Sequence, residues 1–185
     1  MLFNSLAAVA ALSTVVVAGS FEKRTAHTGC YNYYKDTLGF VPSGKSYVKV
    51  ENAQKFHFGN KTPIPIAGPK DTHSNPGICK YYNSSTELGV CLWSGSDPSG
   101  NIIPQSGWLN GAKRSNCGKM VEVKANGKTI HAKLVDGCGL EATTPAKGCS
   151  IAWLTIAAFN ALASPTETEG NGIASIEWKF LDGPV

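Results

Sequence analysis

The chain has 185 residues and a formal net charge of +4, with no block of basic residues interleaved with aromatics. So mild an excess excludes nucleic acid as the expected partner, because nucleic-acid recognition draws on a clustered basic face. Beyond the first twenty residues nothing is continuously apolar, so no membrane span and no membrane partner are expected.

Residues 6–18 carry no charge, are rich in Ala, Val and Leu, and run into a stretch of small residues at Val16, Ala18, Gly19 and Ser20. That is the pattern of a secretory signal peptide over residues 1–20. Residues 21–24 follow with Lys23-Arg24, which match a dibasic site of the kind fungal secretory proteases cut, or stand as two solvated charges. If both cuts occur, Lys+Arg falls from 17 to 15 and Asp+Glu from 13 to 12, leaving a charge near +3. Six cysteines lie beyond the signal, at Cys30, Cys79, Cys91, Cys117, Cys138 and Cys149. An even count in an exported chain predicts three disulfides and an extracellular destination, the apoplast or cell wall. Neither a Cys-x-x-Cys nor a ligand-like spacing of His27, His57, His73 and His131 points to a metal, and no cofactor is expected.

Residues 25–76 read as a loop-rich extension, broken by Pro63, Pro65, Pro69 and Pro76, with one short strand suggested by Tyr47, Val48 and Val50. So few core residues invite a covalent tie, and Cys30 to Cys79 is the expected one. Asn60 and Asn83 begin acceptor sequons, Asn60-Lys61-Thr62 and Asn83-Ser84-Ser85, and are expected glycosylation sites at the surface.

From Gly77 the pattern changes to short strands separated by turn residues, a small all-β domain. Residues 119–135 form its clearest piece: Asn126-Gly127 tolerates the positive φ angles of a type I′ turn, and apolar and polar residues alternate on both sides of it, so a hairpin is predicted. The only good helix begins at Thr155 as N-cap, buries Ile156, Phe159 and Leu162 or Ala163, and stops before Pro165. Ala174, Ile176, Trp178 and Phe180 alternate with polar residues and make a last strand with one buried face.

Taken together, Cys79-Lys80-Tyr81-Tyr82, Gly89-Val90-Cys91-Leu92-Trp93, Asn116-Cys117-Gly118-Lys119, Val135-Asp136-Gly137-Cys138 and the Leu154-Thr155 helix resemble, in order and spacing, the barwin, loosenin and expansin (RlpA-like) barrels. The resemblance covers residues 77–182. It implies a mainly β protein, a six-stranded double-psi β-barrel with one short helix, following the loop-rich N-terminal extension. It also implies a first strand at 79–82 and the pairs Cys91 to Cys117 and Cys138 to Cys149, leaving Cys30 for Cys79.

Lytic and wall-loosening relatives carry an Asp just before the helix, and here that position holds Trp153. Inverting hydrolysis needs one carboxyl group to protonate the leaving oxygen and another to activate water, and Trp153 supplies neither. Asp136 matches the relatives' Val-Asp-x-Cys aspartate; it either contacts ligand or accepts local backbone N–H bonds as a turn-stabilising residue. Lys80 replaces a groove Thr. No catalytic residue is therefore assigned. The expected ligand-binding residues are Asp136, Trp153, Tyr82, Trp93 and Tyr81, the aromatics stacking on sugar rings. A second set, Leu140, Glu141, Thr143 and Thr144 on the loop between Cys138 and Cys149, forms the expected protein-binding loop.

Function follows as a secreted, non-catalytic, effector-like monomer that engages cell-wall polysaccharide through the barrel groove. The alternatives are an inhibitor of a secreted host papain-like cysteine protease, by fold analogy, and an expansin-like wall-loosening or lytic protein.

Overall fold

The structure, a computed structural model, describes residues 27–50, 77–80, 82–103, 106–139, 142–168 and 172–185. The signal and dibasic segments, the proline-rich stretch, Asn60, Tyr81, Leu140 and Glu141 lie outside the described residues.

The chain is mainly β. Six strands, β1 Val48–Val50, β2 Gly89–Trp93, β3 Met120–Ala125, β4 Lys128–Cys138, β5 Ala152–Leu154 and β6 Ile176–Phe180, form one sheet in the order β1-β6-β3-β4-β2-β5. β2 runs parallel to β4, and the other pairings are antiparallel. Trp178 on β6 donates its indole N–H to the carbonyl of Ser150, two residues before β5, at 2.8 Å. β6 and β5 lie near opposite ends of the strand order, so a contact between them requires the sheet to curl.

The hairpin forms as predicted, with Asn126 at φ 51° and Gly127 at φ 71° and Ala125 opposite Lys128. Its alternation buries Val121, Val123 and Ala125. The predicted helix is α3, Ile156–Leu162, where the Thr155 hydroxyl accepts the Ala158 N–H. The same hydroxyl donates to the Glu87 carbonyl at 2.6 Å and accepts from Gly89 N–H at 3.0 Å, so one cap joins the helix to β2. Ala158, Phe159 and Leu162 face the core, and Ile156 is only half-buried.

Three features depart from expectation. Among the described residues Cys79, Lys80 and Tyr82 belong to no strand: Gly77 to Lys80 make a turn closed by the Lys80 N–H on the Gly77 carbonyl at 3.0 Å. The sixth strand comes instead from β1, whose Val48 pairs with Trp178. The segment before it, helix α1 (Gly29–Asn32) and a π-helical stretch over Tyr33–Leu38, delivers Tyr34 into the core, stacked on Trp108 at 5.7 Å between centroids. Trp108 in turn meets Trp178 and Phe180. Each of these large rings contributes on the order of 2–3 kcal/mol by leaving water.

The disulfide pairing is also corrected. The bonds are Cys30–Cys149, Cys79–Cys117 and Cys91–Cys138, none of them a predicted pair. Strand register explains the last: Cys91 lies opposite Asp136 and Trp93 opposite Cys138, so Cys91 and Cys138 are diagonal neighbours, 5.8 Å apart at Cα. Cys149 closes the short helix α2, Pro145–Gly148, and its carbonyl accepts the Trp108 indole N–H at 2.8 Å. That brings it beneath α1, where Cys30 completes the bond.

Candidate functional site

The 77–80 turn is fastened to β4 by Asp136. Its Oδ1 accepts the N–H groups of Ile78 at 2.7 Å and Gly137 at 2.8 Å, and its Oδ2 accepts the Tyr82 hydroxyl at 3.4 Å. Gly77 approaches so closely that an added Cβ would lie 2.7 Å from Oδ2. Burial first, then the charge of Asp136, pushes the Tyr82 phenol up to about 12. The phenol therefore stays protonated and donates at neutral pH. Of the two readings of Asp136, this geometry matches the backbone-bracing one. One of its partners, Ile78, is distant in sequence.

Beside this turn lies an open cleft of about 430 Å³ lined by Lys80, Tyr82, Glu87, Gly118, Lys133 and the Cys79–Cys117 disulfide, with Leu134 and Val135. Lys80 holds φ 113°, a backbone region in which bulky residues are strained. Lys133 is anchored between two strands, opposite Met120 and Gly89. Glu87 accepts the Asn83 N–H at 2.8 Å. Asn83 itself is exposed, with its side-chain oxygen on the Ser85 N–H at 3.0 Å.

Trp153, Cys91 and Asp136 form one row across β5, β2 and β4. Cys138 lies two residues beyond Asp136 and is bonded to Cys91, so these side chains share a face. Trp153, paired with Cys91, joins them about 10 Å from Asp136 at the usual strand spacing. Its side chain is half-buried.

Trp93, expected to bind ligand, is a core residue. It is fully buried, its indole N–H donates to the Ser96 carbonyl at 3.0 Å, and a Cβ at Gly148 would lie 2.1 Å from its ring. Helix α2 thus roofs the sheet face that alternation alone leaves open. Trp108 is likewise fully buried.

The segment between Cys138 and Cys149 is held at both ends, by Cys91 on β2 and by Cys30 on α1. Ala142 is buried, whereas Thr143 and Thr144 are exposed. Thr144 is extended, at φ −145° and ψ 154°.

One cluster has no counterpart in the sequence reading. The Tyr47 hydroxyl donates to Glu122, and the Lys124 and Lys179 ammonium groups sit 4.2 and 4.5 Å from the Tyr47 ring centroid. The Tyr47 bond, followed by His131 and the two lysines, holds Glu122 below its ordinary carboxylate range against a smaller effect of burial. These residues come from β6, β3, β4 and the approach to β1, so only strand order could have grouped them. Among the described residues no cluster of His, Cys, Asp or Glu is arranged to hold a metal, and no helix is long and apolar enough to cross a membrane.

No family model and no curated protein sequence matches the chain. Among solved structures it is similar to a Streptomyces papain inhibitor, at 25% identity and TM-score 0.39, over 60% of this chain and 86% of that one. It is similar also to Clavibacter michiganensis expansin. A point mutant in complex with cellohexaose gives 16% identity and TM-score 0.38, over 73% of this chain and 49% of that one. The apo form gives 16% and 0.39, over 75% and 51%.

Proposed function

We propose that this is an exported, non-catalytic binding protein whose partner is a secreted protein, a papain-like cysteine protease being the finer reading. The observation that carries it is the anchoring of the segment between Cys138 and Cys149 to two separate parts of the fold. A segment fixed at both ends loses little conformational entropy when it docks, which favours insertion into a partner's cleft. Three disulfides suit an oxidising compartment. A non-catalytic role is supported by Trp153 at the position where lytic relatives carry Asp, and by Asp136, which already accepts two backbone amides and a phenol. Replacing residues 139–144 with Gly and Ser tests the reading. Wild-type protein should co-elute with papain and the replacement should not; co-elution of both removes the loop from the account.

A second reading, polysaccharide binding, draws on the row of Trp153 and Asp136. A half-exposed indole on a short outer strand is available to stack on a sugar ring. Trp153→Ala should then abolish sedimentation with insoluble chitin, cellulose or glucan, and undiminished sedimentation would exclude that surface.

A further inference from the structure

We propose that the cleft between the 77–80 turn and β4 is a binding site for a carboxylate-bearing sugar, a uronate residue of an acidic glycan. It lies outside the segment between Cys138 and Cys149 and does not include Trp153, but it takes in Lys80 and Tyr82 of the expected groove, so it deepens the polysaccharide reading and does not rest on the protein-binding one. Two cations, Lys80 and Lys133, line it together with one anion, Glu87. Their carriers are rigid: Lys133 lies within β4, bonded through its N–H to the Leu88 carbonyl at 2.9 Å. Lys80 lies in a turn braced by Asp136 and by the Cys79–Cys117 disulfide. With both backbones fixed, each ammonium stays within reach of the same cleft and can pair, as a point charge, with an anion held there.

The backbone at Lys80 strengthens the case. At φ 113° glycine would be at ease and a long side chain is not. A strained position occupied by a cation that faces a cleft is the kind of outlier from which function is inferred.

The remaining lining selects among anions. Glu87 supplies a carboxylate with about four acceptor sites, which can take hydroxyl donors that a bare inorganic anion such as sulfate lacks. The ring of Tyr82, half-buried at the edge of the cleft, suits the carbon face of a pyranose. A uronate ring offers both parts, a carboxylate for the lysines and hydroxyls for Glu87. The cleft volume of about 430 Å³ falls within the ordinary range for small-ligand pockets.

The test is isothermal titration of the full oxidised chain with trigalacturonate and, separately, with cellotriose. Trigalacturonate should bind, more weakly as salt is raised, and cellotriose should not. The Lys80→Met, Lys133→Met double variant should lose roughly tenfold or more in affinity, while Lys45→Met, exposed and outside the cleft lining, should leave it unchanged. Equal binding of cellotriose, absence of trigalacturonate binding, or an unaltered double variant would overturn the proposal. Displacement of trigalacturonate by sulfate at equal concentration would overturn the sugar specificity.

Discussion

Asp136 Oδ1 accepts the Ile78 N–H at 2.7 Å across 58 residues of sequence, and this bond, together with the Cys79–Cys117 disulfide, fixes where the 77–80 turn sits on the sheet. The same oxygen takes the Gly137 N–H, and hydrogen bonds to a charged acceptor contribute about 1.5–3 kcal/mol each. Asp136→Ala should therefore lower unfolding stability by roughly 2–4 kcal/mol, read from the midpoint of urea denaturation. Asp136→Asn keeps an acceptor oxygen and should cost clearly less. Equal stability of all three proteins would remove Asp136 from its bracing role.

Alkaline titration reads the same contact from the other side. The Tyr82 phenol rises from 10.0 to about 12 on folding, through burial and then the Asp136 charge. A raised folded pKa means the contribution to stability is intact below pH 10 and fades as pH climbs from 10 toward 12. Tyr34, raised by burial and then by Tyr33, acts in the same direction. Absorbance at the phenolate band should show delayed ionisation of both tyrosines, and in Asp136→Asn the delay of one should shrink. Ordinary ionisation of every tyrosine in the folded protein would contradict the contact.

Lys80 and Gly148 make opposite predictions about packing. Lys80→Gly removes a strained φ and should stabilise the protein by about 1 kcal/mol while weakening trigalacturonate binding. A purely structural Lys80 would give the first effect without the second. Gly148→Ala places a Cβ 2.1 Å from the Trp93 ring, an overpacking that should destabilise by about 1–3 kcal/mol and alter the near-ultraviolet circular dichroism of the buried indole.

The disulfides give a covalent check. Non-reducing peptide mapping should recover Cys30 with Cys149, Cys79 with Cys117 and Cys91 with Cys138. The Cys30–Cys149 bond spans 119 residues, and replacing both cysteines with Ser should cost about 4–5 kcal/mol on chain-entropy grounds. Recovery of a Cys138–Cys149 peptide would restore the family pairing and release the loop from β2 and α1.

Local chemistry accounts for what the sequence made legible. Asn126-Gly127 and the Thr155 cap each act within a few residues, so the hairpin and α3 follow from short windows. Trp178 was readable as core because β6 alternates with one face buried. Trp93 was not, because β2 is covered on both faces and nothing within its own five residues announces α2 above it. The disulfides depend on which strands lie side by side, and six cysteines allow fifteen connectivities. Likewise the cleft needs Lys80, Glu87 and Lys133 from three separate stretches, and Lys80 looked in sequence only like a lost groove hydroxyl.

The most direct measurement is titration of papain activity with the oxidised protein and with its Thr143→Arg, Thr144→Arg double variant. Both threonines are exposed on the segment that two disulfides hold. Inhibition by the wild-type protein should saturate at a fixed stoichiometry, and the variant should inhibit at least a hundredfold more weakly, a change of about 2.7 kcal/mol. Absence of inhibition by the wild-type protein, or equal inhibition by both, would contradict the protease reading.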